Sequence, residues 1–141
     1  MSYPIEFTTT IPHLIIEGEF DLFSIHSKNS CAIFASNEEL KICLKWKMNS
    51  IITSLITGYW IIRLFLEIFG ADDLCYPPKK IYIRQKQFEY SSEFNIGANV
   101  LSPGLYKVTT SVVAYTSKGI ETHIDGYGES HLIQVYDPKS V

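Results

Sequence analysis

The octapeptide Leu40-Lys41-Ile42-Cys43-Leu44-Lys45-Trp46-Lys47 decides how the rest of the chain is read. Leu40, Ile42, Leu44 and Trp46 alternate strictly with Lys41, Cys43, Lys45 and Lys47. Successive side chains of a strand point to opposite faces. Period two therefore places four large apolar groups in a core and three ammonium groups in water. The segment reads as a half-buried strand.

Weaker segments of the same kind lie on both sides. Tyr3 to Thr10 alternates loosely and stops before Ile11-Pro12, where the proline biases Ile11 toward extended backbone. His13 to Glu17 is a short apolar run that Gly18 breaks, and Phe20 to His26 resumes a strand-like pattern. Ser27-Lys28-Asn29-Ser30 is turn chemistry, followed by a short strand over Cys31 to Ala35. Downstream, Gly70-Ala71-Asp72-Asp73 is a turn, and Pro77-Pro78 ends whatever precedes it, since neither proline donates to a ladder. Lys80 to Gln87, Tyr90 to Ile96, Leu105 to Tyr115 and Leu132 to Tyr136 are further strands. Strands separated by turn signals at this spacing are the mark of a sandwich or barrel.

Tyr59 to Phe69 is harder. Trp60, Ile62, Leu64, Leu66 and Ile68 share one face, and Ile61, Arg63, Phe65, Glu67 and Phe69 share the other. Both faces are largely apolar, as in a strand covered on both sides, by another part of the chain or by a partner. The β-branched density and the bounding Gly58 and Gly70 favour a strand. A helix over 49–68, with Arg63 and Glu67 as an i,i+4 pair, is the alternative. Ile51 to Gly70 also has the length of a membrane span, but Arg63 and Glu67 inside it would each cost a few kcal/mol in lipid. No membrane span is expected.

The segment Leu101-Ser102-Pro103-Gly104-Leu105-Tyr106-Lys107-Val108 carries a family resemblance. A Pro-Gly turn, a tyrosine, one residue and then an inward apolar residue resemble the tyrosine corner of immunoglobulin-like sandwiches. The resemblance implies that the Tyr106 hydroxyl bonds backbone across the corner before strand F. It gives Val108 the place of the second bridging cysteine, facing Ile42 or Leu44, so no disulfide of antibody type is implied. Leu40 to Lys47 then looks like strand B, and Trp60 sits where the buried strand-C tryptophan would be. Lys80 to Gln87 and Tyr90 to Ile96 look like D and E, and Leu132 to Tyr136 like G. The expected fold is one mainly β domain over residues 1–141, an antiparallel immunoglobulin-like sandwich of about seven to nine strands. Residues 1–35 supply N-terminal strands, and 36–136 supply the immunoglobulin-like core.

Composition narrows the function. The formal net charge of −3 gives no footprint for a phosphate backbone, so no nucleic-acid partner is expected. Lys41, Lys45, Lys47, Lys79 and Lys80 read as solvated strand faces. The N-terminus lacks the basic and apolar regions of a signal peptide. Cys31, Cys43 and Cys75 are an odd number without zinc spacing, and read as reduced thiols of a cytoplasmic protein, one disulfide with a leftover thiol being the alternative.

Thr116 to Ser130 is the longest polar connection, between the strands that look like F and G, and long loops are often functional. Lys118, His123, Asp125 and Tyr127 give it an aromatic anchor and adaptable polar groups, although an extended hairpin fits the same residues. His123, Asp125, Glu129 and His131 have no diagnostic metal spacing, and neither metal nor cofactor is expected. There is no G-x-S-x-G, Walker or Rossmann pattern. Trp46, Trp60 and the nine tyrosines read as core before they read as a sugar-stacking face. The expectation is a non-catalytic protein-interaction or structural module. A small-ligand or carbohydrate-binding sandwich comes next, then a hydrolase whose site is scattered through the sequence. Ile61, Phe65 and Phe69, pointing outward, would form the surface that recruits a partner or a second copy.

Overall fold

The computed structural model describes residues 2–24, 32–49 and 57–140. Its elements are β1 (Ser2–Thr8), β2 (Ile16–Ser24), β3 (Ile33–Ala35), β4 (Leu40–Met48), β5 (Tyr59–Ile68), β6 (Leu74–Cys75), β7 (Lys79–Tyr82), β8 (Glu89–Ile96), β9 (Gly104–Tyr115), β10 (Glu121–Glu129) and β11 (Ile133–Tyr136). A 3₁₀ turn over Pro138–Ser140 follows, and there is no α-helix among the described residues. Setting aside β3 and β6, three and two residues long, nine strands remain.

Two layers form. One runs β8–β4–β2–β1, all antiparallel. The other is built on β5 and β9, paired antiparallel over ten positions from Tyr59↔Tyr115 to Ile68↔Tyr106. β7 and β6 line the far edge of β5. β10 and β11 share the far edge of β9, and β3 lies parallel to β11. β1 joins the layers, since it pairs with β2 over Ser2–Glu6 and with β10 over Glu6–Thr8. The hydrogen-bonded sheet is therefore continuous there and open between β8 and β7.

The alternation in Leu40–Lys47 holds, with Ile42, Leu44 and Trp46 buried. Trp46 meets Trp60 across the sandwich at 5.7 Å between ring centroids, and Tyr90 of β8 lies 5.9–6.0 Å from both. The tyrosine corner is present. Tyr106 is buried, and its hydroxyl donates to the Ser102 carbonyl at 2.5 Å. Val108 lies in the same core as Ile42 and Leu44.

The pairing corrects three expectations and decides between the two readings of 59–68. Thr116 to Ser130 is not a loop. Its larger part is β10, because Ile124, Gly126 and Gly128 alternate inward and let the strand pair with both β9 and β1. Lys80 to Gln87 is strand only to Tyr82, and it pairs with β5 rather than with β8, so it does not occupy the D position. Gly18 lies inside β2, where the absent side chain leaves room for the Phe7 ring 2.8 Å from an ideal Cβ. The helical alternative fails for 59–68, a strand with Trp60, Ile62 and Leu64 fully buried. Residues 50–56, His26, Cys31 and the turn at Ser27–Ser30 lie outside the described residues. No described helix is long and apolar enough to cross a membrane.

Candidate functional site

The outward face of the β7–β5–β9–β10 layer is built in cross-strand rows. At one end Tyr82, Tyr59, Tyr115 and Glu121 stand side by side. The next row is Lys80, Ile61, Val113, Asp125 and, on β1, Thr8. Then come Arg63, Ser111, Tyr127 and Glu6, followed by Cys75, Phe65, Thr109 and Glu129. Glu67 opposite Lys107 closes the face. Antiparallel partners in register share a face at about 4.5–5.5 Å between Cβ atoms, so these rows are contact neighbourhoods.

The centre is apolar and half-buried at Ile61, Val113 and Phe65. Tyr59 stacks on Tyr115 (5.7 Å, 13°) and meets Tyr82 edge to face at 6.2 Å. The Lys80 ammonium lies 4.0 Å from the Tyr59 ring centroid and 5.4 Å from that of Tyr82, an arrangement that ring quadrupoles favour. Tyr59 is thus flanked from one neighbouring strand by a ring and from the other by a cation. At the opposite corner the Tyr127 hydroxyl donates to Glu129 Oε1 at 2.5 Å, and Lys107 Nζ pairs with Glu129 Oε2 at 2.7 Å. These two donors hold the Glu129 carboxyl below the usual carboxylate range, and the bond to Glu129 raises the Tyr127 phenol. Thr8 Oγ1 donates to Asp125 at 2.5 Å.

Of the residues singled out in the sequence, Ile61, Phe65, Asp125 and Tyr127 come together on this face. Phe69 lies past the end of β5 in the turn before Gly70, highly exposed, and does not join the row. Lys118 belongs to the short turn between β9 and β10. His123 sits at a register shift in β10 with φ 62°, and its side chain is exposed. Trp46, Trp60, Tyr106 and Val108 are core residues. Nothing in the sequence marks Tyr59, Tyr82 or Val113 as site residues, and Lys80 and Arg63 read there only as a solvated strand position and a member of the Phe65 face, because their neighbourhood exists only once the register is fixed. Tyr59 and Arg63 do share the parity of Ile61 and Phe65, which was the one available signal.

The opposite outer face differs. It carries a charge ladder: Lys41 pairs with Glu93 (3.1 Å), Lys47 with Glu17 (3.9 Å), and Ser2 donates to Glu19 (2.9 Å). A concavity of about 770 Å³ crosses it between Glu17, Lys47 and Glu89 on one side and Glu19, Lys45 and Ser91 on the other, floored by Gly18. Cys43 lies on this face. Burial first, then the Glu93 carboxylate, pushes its thiol up, away from the thiolate that a nucleophile or metal ligand needs. Cys75 is a free, exposed thiol. Among the described residues no three His, Cys, Asp or Glu side chains are grouped to hold a metal ion.

No family model and no curated protein sequence matches the chain. Solved structures do. The C-terminal domain of Wzt aligns over 90% of this chain and 80% of its own, with a TM-score of 0.59 and 11% identity. The CARDB domain of a Pyrococcus furiosus protein aligns over 92% of each chain, with TM-score 0.47 and 12% identity. A β-glucosidase from Listeria innocua aligns over 84% of this chain and 16% of the enzyme, with TM-score 0.48 and 18% identity. At 11% identity the likeness to the Wzt domain is one of fold alone, a β-sandwich.

Proposed function

We propose that the chain is a non-catalytic interaction module that binds a protein partner through the outer face of the β7–β5–β9–β10 layer. One observation carries this reading: half-buried Ile61, Val113 and Phe65 are surrounded by Tyr59, Tyr82, Tyr115, Tyr127 and Arg63, with Lys80, Asp125, Glu129 and Lys107 at the rim. An apolar centre rich in Tyr and Arg inside a polar rim is the anatomy of a protein interface. The opposite face carries two ion pairs, Lys41 with Glu93 and Lys47 with Glu17, and lacks such a centre.

A sugar-stacking platform fits less well. Tyr59 is flanked on both sides, and the two most exposed rings of this face, Tyr82 and Tyr127, stand on strands three spacings apart. That is about 14 Å, more than one sugar ring spans. The test uses immobilised wild type, Phe65→Glu, and Lys45→Glu as a control on the far face. Each is offered a protein extract of the source cell and a panel of soluble oligosaccharides. Expected are proteins that wild type and Lys45→Glu retain and that Phe65→Glu holds at least about tenfold more weakly. Equal retention by all three, or saturable oligosaccharide binding that Tyr82→Ala abolishes, would overturn the proposal.

A further inference from the structure

The charges on this face are arranged so that it complements itself. Consider an axis parallel to the strands, midway between β5 and β9. A two-fold rotation about it lays the face of a second copy on the first and exchanges left and right within each row. Ile61 then meets Val113 of the second copy, because the two are register partners on β5 and β9. Lys80, one strand beyond Ile61, meets Asp125 of the second copy, one strand beyond Val113. Glu67 meets Lys107 of the second copy. Tyr59 meets Tyr115, and Tyr82 meets Glu121. No row sets like charges opposite each other.

We infer that the occupant of this face is a second copy of the chain, packed sheet on sheet about that two-fold. The inference rests on the interaction reading above and names its partner. A two-fold is the commonest oligomer symmetry, and stacked sheets pack with their strands within about 30° of each other, so the rows near the axis keep their partners. Lys80 is suited to the exchange. Its ammonium contacts only aromatic rings within the chain and has no carboxylate partner among the described residues. Asp125 is held in place by Thr8.

The two-fold makes a specific demand, since every cross-copy contact occurs twice. Lys80→Glu sets a carboxylate at position 80 against Asp125 at both contacts. Asp125→Lys sets an ammonium at position 125 against Lys80 at both. Each variant alone is therefore repelled from itself. When the two are mixed, position 80 of each copy meets position 125 of the other. The introduced Glu then meets the introduced Lys at one contact, and the native Lys80 meets the native Asp125 at the other. Both contacts regain opposite charges. Sedimentation velocity over a concentration series reads this. Expected are a wild-type dimer, association weakened at least about tenfold in each variant alone, and recovery in their equimolar mixture. Both substitutions are on exposed or half-exposed side chains, and thermal midpoints near wild type confirm folding. A wild type that stays monomeric at its highest soluble concentration, or a mixture that associates no better than either variant, overturns the inference. If sedimentation fails while Phe65→Glu still loses captured proteins, only the second copy is excluded. If neither responds, the interaction reading falls with it.

Discussion

Single atoms decide several local features. The Tyr106 hydroxyl is one, since it bonds the Ser102 carbonyl from a buried ring. Tyr106→Phe leaves that carbonyl without its side-chain partner and should lower stability by about 1–3 kcal/mol, read as a denaturant midpoint at unchanged slope. An unchanged midpoint would show that the corner does not hold the fold. Gly58 is a stricter case. A Cβ there would lie 1.6 Å from the Tyr115 carbonyl oxygen, a backbone atom that cannot turn aside. Gly58→Ala should cost about 3 kcal/mol or more, beyond the usual range for an added methyl group. At Gly126 the obstacle is the Phe7 ring, 2.6 Å from an ideal Cβ. There Gly126→Ala should be partly rescued by Phe7→Leu, which a double-mutant cycle in urea measures. His123 holds a left-handed backbone conformation with its side chain exposed. His123→Gly should therefore raise the thermal midpoint, by the equivalent of up to about 1 kcal/mol. A fall would mean that the imidazole makes a stabilising contact.

Strands were legible where alternation was clean and illegible where glycine did structural work. Leu40–Lys47 declares itself because large apolar groups recur at every second position, and Leu105–Tyr115 because Tyr106, Val108 and Val112 share one parity in a β-branched run. β10 hides because two of its inward positions are glycines, needed for the close approach of Phe7, Pro4 and Phe20 where β1 bridges the two layers. A Gly-Tyr-Gly stretch in sequence reads as turn chemistry. Only the tertiary neighbour turns it into a strand. Lys79 is a second element-scale feature outside the reach of the sequence. From β7 its ammonium reaches across the open side of the sandwich to the Glu93 carbonyl on the free edge of β8, and lies 4.7 Å from the Phe94 ring. Gln87 likewise donates to the Glu89 carbonyl. Capped carbonyls and a buttressing charge make a poor template for another strand. Lys79→Ala should leave the thermal midpoint within about 0.5 kcal/mol of wild type yet lower the temperature at which light scattering begins. Unchanged scattering would show that Lys79 does not guard the edge.

At the scale of the whole molecule the two outer faces have different work. One is a ladder of charges in water, with Lys41–Glu93 and Lys47–Glu17 paired across strands. The other joins an apolar centre, four tyrosines and a self-complementary set of charges. The candidate site was half legible in the sequence: Ile61 and Phe65 follow from the parity of one strand, whereas Lys80, Val113 and Asp125 become their neighbours only through the register of three other strands. The central claim is that the molecule associates through this face and not through the other. Covalent footprinting of lysine and tyrosine side chains in dilute and concentrated protein tests it most directly. Lys80, Tyr82 and Tyr127 should lose reactivity together as concentration rises, while Lys45 and Lys47 keep theirs. Protection of Lys45 and Lys47 with Tyr82 and Tyr127 left reactive would contradict the claim.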